Sequence, residues 1–145
     1  MLGDDVIDYV SDYKYLGFLM NEHLNNNSGV DVLSKSAGRA LGGLINKFRY
    51  IKGMGFKTYS TIFETCVNPI MTYAAEIWGF KDYSNLESVQ CRAMKYYLGV
   101  HKYAPNVAVQ GDCGLLKCKY VQWLAMCRFW NRLHSMDQNR LTYKI

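Results

Sequence analysis

The spacing of apolar residues after position 28 is the feature that most constrains the fold. Between residues 30 and 51 apolar side chains recur every three or four positions, at 30, 33, 37, 40, 41, 44, 45, 48 and 51. This spacing places them on one side of an amphipathic helix, which must pack against other elements. Gly42–Gly43 lies inside the pattern and costs about 1 kcal/mol per glycine relative to alanine, so the pair could serve the close approach of another backbone. Gly53–Gly55 is predicted to end the helix.

A second helix is predicted from near Phe56 to Gly79, with Tyr73–Gly79 in the core. Pro69 must kink or break it, because the proline ring clashes with the preceding turn. Asn68 could then cap a fresh helical segment. Its buried stripe is predicted to contain Ile62, Phe63, Cys66, Val67, Ile70, Met71, Ala74, Ile77 and Trp78. Further helices are predicted at 84–98, 105–112 and about 117–134.

The residues before position 22 favour strands instead. β-prone runs at about 5–10 and 13–20 flank Ser11–Asp12, which supplies turn chemistry, so we expect a β-hairpin. The expected fold is therefore mainly α, with an N-terminal β-hairpin over 1–22 and a helical domain over 28–145 that contains four or five helices. Because the sequence opens inside a β-prone run, we expect the chain to be a piece of a longer protein.

Composition limits the classes of function. The 145 residues fit one globular domain, and the formal net charge of +5 permits an anionic partner without requiring one. We expect no membrane span and no secretory leader, and five irregularly spaced cysteines do not suggest a disulfide framework. The expected location is intracellular, in the cytoplasm or the nucleus.

Two groups of residues could contact nucleic acid. Tyr13, Lys14 and Tyr15 offer rings for a sugar or base and polar groups for a phosphate, although alternating tyrosines are also ordinary in a two-stranded ribbon.

Basic residues on the first long helix form the second group. Lys35 and Arg39 stand one turn apart, and Lys47 follows on the same helix. They could line a groove for phosphates, where each contact releases a counterion, or they could form a solvated helix face. The spacing leaves both interpretations open.

The sequence gives little support for a catalytic site or a metal site. Asp4–Asp5 is preceded only by Met1–Gly3, so we interpret it as a turn and not as a polymerase metal site. The spacings among Cys113, Cys118, Cys127 and His134 match no compact zinc knuckle. We therefore predict no catalytic residue, no metal site and no cofactor in this chain.

Several short motifs in a fixed order give the chain a family resemblance. They are Tyr13–Gly17, Tyr73–Gly79, Leu86–Cys91, Pro105–Val109 and Gly111–Gly114. In series they resemble the stretch that follows the catalytic palm in reverse transcriptases of non-LTR (LINE-type) retrotransposons. The resemblance covers about Val6 to Leu133. The sequence departs from the family at Ala74, where glycine is frequent, and at Cys113, where a small or aliphatic residue is usual.

The resemblance implies a primer-grip hairpin joined to a thumb-like helical bundle. Tyr13, Lys14 and Tyr15 would position the primer terminus, and Lys35, Arg39 and Lys47 would contact backbone phosphates. The implied partners are an RNA/DNA primer–template and the palm of the same polymerase, whose aspartates would hold Mg²⁺. Two alternatives remain open: a retroelement relic without function, and a small helical protein-interaction module that uses the surface around Met94, Tyr96 and Tyr97.

Overall fold

A two-stranded antiparallel hairpin precedes a bundle of helices, as the sequence predicts. The computed structural model describes residues 8–51 and 53–137. The hairpin in this part of the chain pairs β1 (Asp12–Tyr15) with β2 (Phe18–Asn21). The described helices number seven: α1 (Asn27–Phe48), α2 (Phe56–Cys66), α3 (Asn68–Met71), α4 (Ala75–Trp78), α5 (Ser84–Leu98), α6 (Asn106–Cys113) and α7 (Cys118–His134).

The hairpin turns five residues later than expected. Residues 8–10 are not in a strand, residues 5–7 lie outside the described part, and the predicted strand 13–20 contains the turn itself. Leu16 and Gly17 occupy the two turn positions with φ of 46° and 95°. Positive φ at both positions matches the twist of a two-residue hairpin, but leucine adopts it only with strain. The sequence analysis missed the turn because Leu16 gives no signal for it.

Helix α1 begins in the asparagine-rich loop and packs closely against the hairpin. The backbone N–H of Asn27 donates to Asn25 Oδ1 at 3.1 Å, which stabilises the turn before the helix. A Cβ on Gly29 would lie 2.6 Å from both the Leu19 carbonyl oxygen and Phe18 Cζ. Gly29 therefore lies inside the first turn of α1, where only glycine allows this approach.

Gly42 and Gly43, later in α1, face open space. A Cβ on Gly42 or Gly43 would meet nothing within 4 Å, so the expectation that they admit another backbone was wrong. The helix also ends earlier than predicted, at Phe48. Tyr50 and Ile51 then donate backbone hydrogen bonds three residues back, and Ile51 is exposed, because the chain tightens after the helix instead of continuing its apolar stripe.

Pro69 breaks the second predicted helix, as expected. The chain forms α2, then α3 with proline in its first turn, then α4. Ala74, which precedes α4, has a φ of 54° and so adopts the left-handed conformation that favours glycine. Within α4, Trp78 is buried, whereas Ile77 is 64% exposed and does not belong to the buried stripe as predicted.

Helix α5 lies at the centre of the bundle. It contacts α1, α2, α6 and α7, and α4 packs on α7. Gly99 ends α5 in the left-handed conformation with a φ of 66°, as the sequence predicted for its terminus. The hairpin shares the same hydrophobic core through Phe18. The core residues of α5 are Leu86, Val89, Cys91, Ala93 and Met94.

Helix α7 buries less than its sequence pattern suggests. Gln122 is buried against Gly79, whereas Leu124 is 47% exposed. Helix α7 packs mainly on the short α4 and less on α5, so several of its large apolar side chains stay exposed.

Trp78 is the first test of this core. It is fully buried, and its indole Nε1 donates to the Tyr73 carbonyl oxygen at 2.9 Å. We expect Trp78→Ala to lower the free energy of unfolding by about 3–5 kcal/mol, because it leaves a large cavity. Trp130→Ala, at a site that is 62% exposed, is the matched control and should cost about 1 kcal/mol or less. If urea unfolding shows that the two variants lose equal free energy of unfolding, the result would contradict the burial of Trp78.

The two kinds of glycine on α1 give a second test. Gly43→Ala should raise the free energy of unfolding by about 1 kcal/mol, because alanine favours the helix and meets open space. Gly29→Ala should lower it by about 1–3 kcal/mol, because its methyl group collides with the hairpin. Urea unfolding of both variants measures the difference. Changes of the same sign would show that the hairpin does not contact α1 at Gly29.

Candidate nucleic-acid interface

The hairpin presents its two tyrosines together and its lysine apart from them. Tyr13 and Tyr15 are two positions apart in β1, so their side chains lie on one face of the hairpin. On that face Tyr13 is paired with Met20 of β2, and Tyr15 is paired with Phe18. They are 60% and 55% exposed. Lys14 lies on the other face of the ribbon, paired with Leu19. Tyr13 and Tyr15 therefore present adjacent exposed rings on one face of the hairpin, and the Lys14 ammonium group lies on the opposite face.

The tip of the hairpin is anchored to the bundle by Tyr73. The Tyr73 hydroxyl donates a hydrogen bond to the carbonyl oxygen of Leu16, in the strained turn. Tyr73 was predicted to be core, but it is 42% exposed and stands against the turn instead. The Leu16 side chain in this turn is 74% exposed. The anchor fixes where an exposed tip of aromatic and aliphatic groups lies relative to the helices.

The basic residues of α1 do not share one face. Lys35 and Arg39 are exposed and separated by about 40° around the helix, whereas Lys47 is rotated about 80° further from Arg39. Lys35 Nζ lies 2.6 Å from Asp31 Oδ2, an ion pair one turn apart. Such an exposed pair contributes at most about 1 kcal/mol, so a phosphate could displace the carboxylate. Arg39 Nη2 donates to Ser36 Oγ at 2.9 Å.

A basic contact that the sequence analysis missed joins α1 to α5. Arg92 Nη2 of α5 donates to the Gly38 carbonyl oxygen of α1 at 3.0 Å. The two residues are 54 positions apart, so helix spacing alone gave no signal for the contact. Arg92 adds a guanidinium at the junction of the two helices, next to Lys95 one turn further along α5.

A buried polar network joins the N-terminal half of α5 to neighbouring helices. The Glu87 carboxylate accepts hydrogen bonds from Gln110 Nε2 and, at 2.9 Å, from the backbone N–H of Cys118. The Cys118 thiol donates to Gln90 Oε1 at 3.6 Å. Burial, and then the nearby Glu87 carboxylate, raise the pKa of the Cys118 and Cys91 thiols. These contacts tie α5, α6 and α7 together and keep both thiols protonated.

Among residues 8–51 and 53–137, no cluster of three or more histidine, cysteine or acidic side chains could hold a metal ion. This part of the chain therefore does not fit the Mg²⁺ site of a polymerase, and Asp4–Asp5 lies outside it. Glu76 is half-buried and shares a surface depression with Arg128 and Arg132 of α7.

None of the described helices is both long enough and apolar enough to span a membrane.

Comparison with known proteins gives no match: no protein-family model, no curated protein and no solved structure corresponds to this chain.

The sulfhydryl groups provide a test of the buried network. We expect N-ethylmaleimide to modify the exposed Cys66 and Cys127 readily, and Cys91, Cys113 and Cys118 at least about tenfold more slowly. Burial raises the pKa of the three slow thiols and blocks access to them. Peptide mass spectrometry after timed labelling measures each rate, and labelling in guanidinium chloride is the control. Equal rates under native conditions would contradict the arrangement of α5, α6 and α7.

Proposed function

We propose that this chain is the primer-grip and thumb segment of a non-LTR retrotransposon reverse transcriptase and that it holds a primer–template duplex without reading its sequence. The observation that carries the proposal is the exposed pair Tyr13 and Tyr15 on a hairpin anchored to a helical bundle. This arrangement agrees with the order of motifs in the sequence. Polymerisation itself belongs to the palm of the parent enzyme, whose aspartates would bind Mg²⁺.

One departure from the family supports the resemblance on physical grounds. Ala74 stands where the family often has glycine, and its φ of 54° is a conformation that glycine adopts with less strain. A glycine preference at this position is what a left-handed residue before α4 demands. The same backbone geometry therefore accounts for the family's usual residue and for the strain at alanine.

Contacts of two kinds would hold the duplex. The rings of Tyr13 and Tyr15 would pack against a sugar or base, and their hydroxyls reach phosphate oxygens. Lys35, Arg39 and Lys47 of α1 would contact phosphates. Because Lys47 lies on a different side of α1 from Lys35 and Arg39, the three residues suit the curved sugar–phosphate backbone of a duplex more than a flat surface. The formal net charge of +5 favours the approach of a polyanion.

A second candidate function is protein docking through α7. Its large exposed apolar side chains are Tyr120, Trp123, Leu124 and Trp130, and the ring contacts of the three aromatic residues are to other residues of α7. An apolar surface of this kind marks an interaction site, and the palm of the parent polymerase is one partner it would suit. The interaction surface predicted from the sequence, around Met94 and Tyr97, was wrong. Met94 is fully buried, and Tyr97 packs on Phe56 and Tyr59.

Titration with a fluorescent RNA–DNA hybrid at about 50 and 200 mM salt tests the proposal. If three phosphates are contacted, affinity should fall on the order of 40-fold between the two salt concentrations. Replacing Lys35, Arg39 and Lys47 together by alanine should weaken binding and flatten the salt dependence. The matched control removes three other exposed basic residues, Lys81, Lys117 and Arg128, with the same loss of charge.

The outcomes separate the candidates. An unchanged affinity and salt slope in the first triple variant would show that the α1 residues do not contact the phosphates. No binding by a wild-type chain that melts cooperatively would contradict the proposal and favour docking through α7. Failure to melt cooperatively, with poor solubility, would favour the relic.

A further inference from the structure

A cavity between α1 and α5 carries three cationic side chains that the duplex clamp does not use. It has a volume of about 480 Å³ and lies under the connection from α5 to α6. This volume is within the range of sites for small ligands, about 300–1,000 Å³. Its polar and apolar walls include Ile45, Arg92, Lys95, Tyr96, Val100 and Lys102.

Backbone contacts hold two of the three cations in place. Arg92 Nη2 is bound to the Gly38 carbonyl oxygen at 3.0 Å, and Lys95 Nζ to the Lys102 carbonyl oxygen at 2.9 Å. A guanidinium has five N–H donors and an ammonium has three, so each head group keeps donors for a ligand. The Lys102 ammonium group lies over the Tyr103 ring, 4.9 Å from its centroid. Arg92 and Lys95 are thus positioned by the fold before any ligand arrives.

None of the described residues that line the cavity carries a carboxylate. Among the described residues the close ion pairs involve His23, Lys35 and Lys119, and none involves Arg92, Lys95 or Lys102. Carboxylates do occur beyond Asn106, where the adjoining depression contains Asp82 and Glu87. The three cations line this cavity and the two carboxylates line the adjoining depression, so an anion would bind among the cations.

We propose that this cavity binds the phosphate group of a single nucleotide. Arg92, Lys95 and Lys102 would bind the phosphate oxygens, with the planar guanidinium able to donate two parallel hydrogen bonds. Tyr96, Val100 and Ile45 provide an apolar wall for the sugar or base. A duplex is too wide for this volume, so the nucleotide is either unattached or an unpaired unit at the end of a strand; only the strand source rests on the proposed function.

The experiment compares adenosine monophosphate with adenosine by isothermal titration calorimetry of the full chain. Adenosine monophosphate should bind at least tenfold more tightly, because adenosine lacks the phosphate. Lys102→Gln should weaken that binding about tenfold, and Lys81→Gln, at an exposed lysine outside the cavity, should leave it unchanged. Arg92→Lys keeps the charge but loses the paired donors, and it should weaken binding of adenosine monophosphate.

Two further titrations identify the source of the phosphate. A single strand of about ten nucleotides with a 5′-phosphate should displace adenosine monophosphate more effectively than the same strand with a 5′-hydroxyl if strand ends are bound. Equal displacement by the two strands, with adenosine monophosphate bound, assigns the cavity to unattached nucleotides.

Equal binding of adenosine and its monophosphate, no binding of either, or unchanged binding in Lys102→Gln and Arg92→Lys would overturn the inference. If the RNA–DNA hybrid still binds in that case, the clamp stands without the cavity. If adenosine monophosphate binds and the hybrid does not, the cavity stands and the clamp fails.

Discussion

The packing of Phe18 against α1 and α4 determines where the hairpin lies. Phe18 is nearly fully buried, its ring is stacked on Trp78 with a centroid separation of 6.2 Å and an interplanar angle of 3°, and it fills the space left by the missing side chain of Gly29. An isolated two-stranded hairpin is at best marginally stable in water. The hairpin therefore owes its position, and much of its order, to one aromatic side chain inserted into the helical core.

Two hydrogen bonds extend this contact to the tip of the hairpin. Trp78 donates to the Tyr73 carbonyl oxygen, and Tyr73 in turn donates to the Leu16 carbonyl oxygen in the turn. The buried indole thus supports the residue that anchors the strained turn. The anchored turn gives Tyr13 and Tyr15 a defined place relative to the helices, as the proposed clamp on nucleic acid requires.

Local sequence signals predicted most helix boundaries but not the contacts between elements. Gly99 and Pro69 act through their own backbones, so the end of α5 and the break after α2 could be predicted from the residues alone. The hairpin turn could not, because leucine rarely adopts a positive φ and the hydrogen bond from Tyr73 to the Leu16 carbonyl oxygen joins residues 57 positions apart. Likewise, the contact of Arg92 with α1 depends on how two distant helices pack.

The most direct test is a nuclear Overhauser measurement between the ring protons of Phe18 and the α-protons of Gly29. Phe18 Cζ lies 2.6 Å from the position that a Cβ on Gly29 would take, so the account predicts a strong cross-peak, with further cross-peaks from Phe18 to the Trp78 indole. Cross-peaks from the Phe18 ring only to its neighbours in β1 and β2 would contradict it. The hairpin would then be detached from the bundle, and no fixed interface would exist.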